Sequence, residues 1–320
     1  MLGIGMLVNP GVFYSKDPRA ILNDSWLLDQ NKIENLKKHK LVILDFSTEH
    51  YGEHGLDYIY QELEESKLNF LLLSHNPDDH QKFDRMFFYP HWYHWAIKGL
   101  RTSKTADPVN KTYKWSCLNA VPRPHRIYNY IYSRKQPYFN DSIFTFHNIH
   151  HYDPRNDDIQ LDENTLNEWN QIKDSLPFKK ILGSNTDSAS DLPANSDSYV
   201  HLVTETTICP KIFMSEKTWK PIASGQFFLI FGNPGAISYL RNQGVDVFDD
   251  IIDHSYDHTL DWQTRLEQIH KQIEKLVSKN LNDLYINTHS RRQANIQKFL
   301  AGKFDEKYLP TITQCINTLS

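Results

Sequence analysis

Three cysteines, Cys117, Cys209 and Cys315, are all that the 320 residues contain, and no two of them form a CxxC pair. That pattern excludes a disulfide framework and a zinc knuckle, and a reducing compartment suits it best. Long apolar runs are missing too. No stretch approaches the ~20 residues needed to cross a bilayer, and the opening MLGIGMLVNPGVFY lacks the basic start of a signal peptide. The chain is therefore expected in the cytoplasm, with no membrane span. Positive charge is not in excess, since the formal net charge is −4, which disfavours a duplex nucleic-acid binder. GxxxxGK[ST], GxGxxG and GxSxG are all absent, so P-loop, classical dinucleotide and α/β-hydrolase chemistry lack their motifs. No Asp-x-Asp triplet occurs either, and with it goes one usual way of holding a divalent cation on a diphosphate.

What is present is a globular composition, 39% apolar and 23% charged, long enough for two domains. Leu41-Val42-Ile43-Leu44-Asp45-Phe46 is a short apolar run bounded by charge, as a buried parallel strand requires. The spacing predicts a helix over 58–66 and a second buried strand over 70–73, ending at Ser74-His75-Asn76-Pro77. Strand, helix, strand at this distance is a βαβ unit. Residues 142–146 read as a strand, and 156–193 as a polar stretch with one helix. The alternation then returns: a strand over 199–204, a helix from Glu216 capped by Ser215, and a strand over 227–231. A short helix over 236–242 closes at Gly244. Residues 262–300 have helical spacing, and a last helix is expected to pack back on the first lobe.

The most informative stretch runs from Val203 to Gly235. It places Glu205 at a strand end, then Ser215-Glu216-Lys217 at a helix start, then a strand breaking at Gly232-Asn233-Pro234-Gly235. A helix N-terminus offers N–H groups and partial positive charge to a phosphate. Lys217 adds a full charge there, and Glu216 is placed to accept from ribose hydroxyls. The plainer alternative is an ordinary helix start with first-turn charge. Upstream, Asn119-Ala-Val-Pro-Arg123-Pro-His125-Arg126 ends a strand and opens a helix. Arginine suits a diphosphate because its fork makes two parallel bonds to phosphate oxygens, with Arg126 the first choice and Arg123 the second.

The segment with Glu205, Ser215-Glu216-Lys217, Ala223-Ser224-Gly225 and the buried strand 227–231 resembles the donor-binding motif of the alpha-1,3-fucosyltransferase family and related bacterial and phage GT-B transferases. Val203-Thr204-Glu205-Thr206 stands where that family has F-E-N-S, and Pro221 lies inside the helix. The resemblance implies that Glu216 holds the nucleotide ribose and Lys217 the diphosphate. It implies an α/β fold of two Rossmann-like lobes facing a cleft, with an acceptor lobe over 1–114 and a donor lobe over 115–320.

A metal-independent, inverting transfer of sugar from a nucleotide sugar to a hydroxylated acceptor such as a glycan is the leading expectation. The missing membrane anchor, beside the anchored Golgi members of that class, points to a bacterial cell or a virus-infected host. Such a reaction needs a base to take the acceptor's proton. Glu49, just beyond the first strand, is the first candidate, with Asp45 and His75 behind it. No cofactor or metal is expected. His91 to Trp95 and His147 to His151 carry histidine pairs without the carboxylate or cysteine company of a strong metal site, and the first cluster reads better as an acceptor wall. Two alternatives stay open. A basic run over 98–135, interleaved with tyrosines, would suit a phage-type enzyme acting on a hydroxymethylated base in DNA. A non-catalytic nucleotide- or sugar-binding protein could also keep this fold.

Overall fold

The computed structural model describes residues 12–15, 28–47, 55–77, 79, 82–91, 93, 96, 110–119, 121–146, 159–175, 197–208, 211–302 and 308–319. The chain divides into two compact units, Met1–His94 with Phe304–Ser320, and Trp95–Lys303. The division falls at 94/95 and 303/304, whereas the sequence reading drew it at 114/115.

The first unit contains a parallel sheet in the order β1 (Val12–Ser15), β2 (Leu41–Asp45), β3 (Phe70–Ser74), β4 (Met86–Phe88). All five residues of β2 and of β3 are buried, because a parallel strand is covered on both faces. Alternate side chains go opposite ways. Val42, Leu44, Phe70 and Leu72 join a core with α1 (Gln30–Leu36) and α2 (Gly55–Glu65) through Ile33, Leu36, Leu56, Ile59 and Leu63. Leu41, Ile43, Leu71 and Leu73 instead meet Ile312 and Ile316 of the C-terminal helix, Leu309–Leu319, which one helical turn places on a single stripe. Helix α2 starts three residues earlier than its apolar spacing predicts. The strand order never reverses, so this sheet has no switch point among its described strands.

The second unit carries another parallel sheet, ordered β6 (Ser142–Phe146), β5 (Tyr113–Asn119), β7 (Ser198–Thr204), β8 (Phe227–Phe231). Every residue of β7 and β8 is buried. Helix α3 (Pro124–Ser133) follows β5, and the chain then forms β6 on one side. Helix α4 (Glu163–Ile172) packs there, with Trp169 against Ile127, Tyr130 and Phe146. The chain next crosses to β7 on the other side of β5, and helix α5 (Glu216–Ala223) leads on to β8. Right-handed crossovers running in opposite directions put α3 and α5 on opposite faces. The order therefore reverses between β5 and β7.

Helix α6 (Ala236–Asn242) follows β8, and Gly244 takes the left-handed conformation at φ 79° that ends it, as its position in the sequence suggests. The helical stretch beyond is three helices, α7 (Trp262–Val277), α8 (Leu281–Asn287) and α9 (His289–Leu300), with Asn280 capping the second. The helix of the first unit, Leu309–Leu319, is α10. The whole is a mixed α/β protein with two four-stranded parallel sheets. No helix among the described residues is long and apolar enough to cross a membrane.

Candidate functional site

In an open α/β sheet, ligands bind beyond the carboxyl ends of the strands where the order reverses. Here that point is the end of β5 and β7, at Asn119 and Thr204. The Thr204 hydroxyl donates to Asn119 Oδ1, tying the two strand ends together. The first turn of α3 grips the same place. His125 Nε2 lies 2.9 Å from the Glu205 carbonyl oxygen. Arg126 donates to the carbonyls of Glu205 at 3.0 Å, Thr204 at 3.3 Å and Val121 at 3.2 Å.

Glu205 lies just beyond β7, is completely buried, and its backbone N–H donates to Phe231 O at 3.0 Å. Its carboxylate accepts from Ser215 N at 3.1 Å, the Ser215 hydroxyl at 2.5 Å, the Thr218 hydroxyl at 2.6 Å and Thr206 N at 3.2 Å. It thus closes the 206–215 loop against the start of α5. Gly232 makes room for it: a Cβ there would stand 3.1 Å from both Cβ and Cγ of Glu205, so the carboxylate side chain would have to give by a few tenths of an ångström.

The start of α5 differs from the expectation of N–H groups open to a phosphate. Ser215 N is held by Glu205, and Lys217 N donates to the Ser215 hydroxyl at 3.3 Å. The anion at this helix N-terminus is the protein's own Glu205 carboxylate, in keeping with the helix's preference for negative charge there. The pair that follows is largely enclosed, with Lys217 the more exposed of the two. Lys217 Nζ donates to Glu216 Oε1 at 2.9 Å, to the Ser215 hydroxyl at 3.2 Å and to the Thr206 hydroxyl at 3.4 Å. The Lys217 side chain is 22% exposed and that of Glu216 10%. Burial works against the charged form of Glu216, but Lys217 and Lys220 outweigh it and bring its pKa down to about 2. The carboxylate is therefore ionised and able to accept hydrogen bonds.

Sequence reasoning missed Lys220 and His125. Lys220 lies one turn beyond Glu216 and is buried; its charge acts on Glu216 and, behind burial, helps bring His201 down to about 3. The i, i+4 spacing from Glu216 was its only local signal. Arg123 is the N-cap residue of α3, in extended conformation and half-buried. Arg126, expected to clamp a diphosphate, is only 3% exposed and directs its fork to the three carbonyls above.

The three candidate bases sit differently. Glu49 lies outside the described residues. His75 follows β3 and is buried. Asp45 ends β2 with no exposure. Its Oδ1 accepts from Ser47 N at 3.1 Å and from the Ser47 hydroxyl, and its Oδ2 accepts from Tyr14 OH at 2.6 Å. His91 Nδ1 stands 3.6 Å from that Oδ2. Burial alone would raise the Asp45 pKa, yet His91, Ser47 and Tyr14 together hold it below the usual carboxylate value. An enclosed carboxylate supplied with donors on both oxygens is poorly placed to receive a proton from a substrate itself.

Parts of the basic run are engaged locally. Lys114 pairs with Asp141 at 2.8 Å, Lys135 with Glu168 at 2.8 Å, and Lys111 lies 4.7 Å over the Tyr285 ring. Lys98, Arg101 and Lys104 lie outside the described residues, as does the cluster His147 to His151. Among the described residues, no group of three or more His, Cys, Asp or Glu is arranged to hold a metal ion.

No family model and no curated protein matches the chain. A solved structure described as the catalytic domain of starch synthase IV from Arabidopsis thaliana, bound to ADP and acarbose, is similar at 11% identity with a TM-score of 0.30. The alignment covers 88% of this chain and 62% of that one, so the chain spans less than two thirds of its neighbour's length, and a likeness this distant carries no argument about the reaction.

Proposed function

We propose that the protein is a glycosyltransferase that holds a nucleotide-sugar donor beyond the carboxyl ends of β5 and β7. The observation that carries the reading is the ionised Glu216–Lys217 pair standing at the one strand-order reversal of the described sheets. Glu216 accepts from the ribose hydroxyls and Lys217 neutralises the diphosphate, with Lys220 keeping Glu216 charged. Arg123, half-buried at the start of α3, is a second cation for the phosphates. Glu205, Ser215, Gly232 and Arg126 shape and brace the loop that presents the pair. Lysine and arginine take the part that a divalent cation plays in other transferases, so the transfer is metal-independent. The reading includes a GT-B-like arrangement of two Rossmann-like lobes, an inverting outcome, and a hydroxylated acceptor such as a glycan.

A melting screen against UDP-, GDP-, ADP- and CMP-linked sugars tests it. One class is expected to raise stability by about 2.7 kcal/mol when present at ~100 times its Kd. Release of free nucleotide in the presence of an acceptor separates an enzyme from a binding protein. Affinity for DNA that falls steeply with salt would favour the hydroxymethylated-base acceptor instead. No stabilisation by any of the four classes would reject the proposal.

A further inference from the structure

The start of α7 buries a cation that the donor site does not use. Arg265 stands one turn into the helix and is 1% exposed. Its Nη1 donates to Thr259 O at 2.8 Å. Nε and Nη2, the two parallel donors along one edge of the guanidinium, are buried and meet no acceptor among the described residues. The two carboxylates whose charge acts on it are committed elsewhere. Asp257 accepts from Ile237 N, Ser238 N and the Ser238 hydroxyl, each at 3.0 Å, which ties it to the start of α6. Asp261 caps α7 by accepting from Thr264 N at 2.8 Å. Burial outweighs the charges of Asp257 and Asp261 and brings the Arg265 pKa down to about 10. The group is therefore charged at neutral pH, with its charge incompletely answered.

A guanidinium edge inside a protein that bonds to nothing lowers stability, because it has lost its water without gaining an acceptor. Such an edge suits one class of partner: two oxygens in a plane carrying negative charge, as on a phosphate or a carboxylate. The group that holds the other side of the fork belongs to a surface segment. Thr259 is followed by Leu260, 79% exposed, and by the exposed Asp261. We propose that Arg265 anchors an oxyanion-binding site in the second unit, where α7 packs on the Ser255–His258 turn, apart from the Glu216–Lys217 pair. The oxyanion takes Nε–H and Nη2–H together, while Thr259 O fixes the fork through Nη1. The site stands whether or not the protein transfers sugar.

Calorimetric titration of sodium phosphate and sodium acetate into the full chain tests this, at an ionic strength held constant with chloride. Wild type and Lys217→Ala should bind one or both anions alike. Arg265→Met should bind them roughly 10- to 150-fold more weakly, the loss of a charge-assisted pair. Arg265→Lys, a point charge without the fork, should recover only part of the affinity. In chloride alone Arg265→Met should melt no lower than wild type, since an apolar chain of similar length replaces an unanswered buried charge. Nitrogen NMR of the wild-type Arg265 Nε–H needs no variant and decides the matter even if Arg265→Met fails to fold: the resonance should shift with added anion and saturate. A response to phosphate alone marks a phosphoryl site, to acetate alone a carboxylate site, and to both a general oxyanion site. An Nε–H that moves with neither anion, or equal binding by wild type and Arg265→Met, overturns the proposal. Loss of binding in Lys217→Ala would return the anion to the donor site and overturn a separate one.

Discussion

Lowering the pH from 7 to 5 is expected to remove about 4 kcal/mol of stability through two buried histidines. His201 and His270 are both brought down to about 3, the first by burial and then Lys220, the second by burial alone. His201 Nδ1 lies 2.7 Å from the Ser116 hydroxyl, and His270 lies 2.9 Å from Asn129 Oδ1 and 3.0 Å from Tyr138 OH. In the unfolded chain each ring takes up a proton near pH 6.5, whereas in the folded chain it stays neutral until about 3. Between those values the unfolded state binds more protons, so stability falls as the pH falls, by roughly 1.4 kcal/mol per unit for each ring. Glu216 acts in the same direction lower down: its depressed pKa contributes stability that is present above the unfolded value and lost as pH falls toward about 2. Urea unfolding at pH 7, 6 and 5 measures the slope, and His270→Gln should roughly halve it. A midpoint independent of pH over this range would mean that the rings are not held neutral.

Glu205→Ala is the substitution with the largest expected structural cost, about 3–5 kcal/mol. It removes the acceptor for Ser215 N, the Ser215 hydroxyl and the Thr218 hydroxyl, all in buried residues, and buried donors without an acceptor are costly. The loop that presents Glu216 and Lys217 would lose its anchor, so donor binding should fall together with stability. Glu205→Gln keeps the shape but turns an N–H group toward donors, so an intermediate loss of about 1–3 kcal/mol is expected. Chemical denaturation of the three proteins checks this. An alanine variant within 1 kcal/mol of wild type, a change on the order of an ordinary surface substitution, would show that the carboxylate does not hold the loop.

The parts of this fold that the sequence announces are the ones with dense local signals. Strands β2, β3, β7 and β8 are buried on both faces, so each appears as an unbroken apolar run. Strands β1 and β4 are short strands at the two edges of their sheet, four and three residues long, and neither carries a pattern long enough to read. The Ser215-Glu216-Lys217 start is likewise legible because cap and charges are adjacent. What the sequence could not reveal is where buried polar groups are committed. Arg126 and His125 bond to Glu205 from about eighty positions away, and Asp45 meets partners from both β1 and the segment after β4. Only the folded register brings such residues together, and the Arg126 fork, expected at a phosphate, donates to carbonyls.

Calorimetric titration of UDP, GDP and ADP into wild type and Lys217→Ala is the most direct test of the central claim. The Lys217 side chain is 22% exposed and pairs with Glu216, so its loss should lower the melting temperature through Glu216 without unfolding the protein at ~25 °C, while removing a charge-assisted bond to phosphate. One nucleotide should bind the wild type, and the variant should bind it roughly 10- to 150-fold more weakly, the equivalent of about 1.5–3 kcal/mol. Equal affinity in the two proteins, or no binding of any of the three nucleotides to wild type, would contradict a donor site at the reversal between β5 and β7.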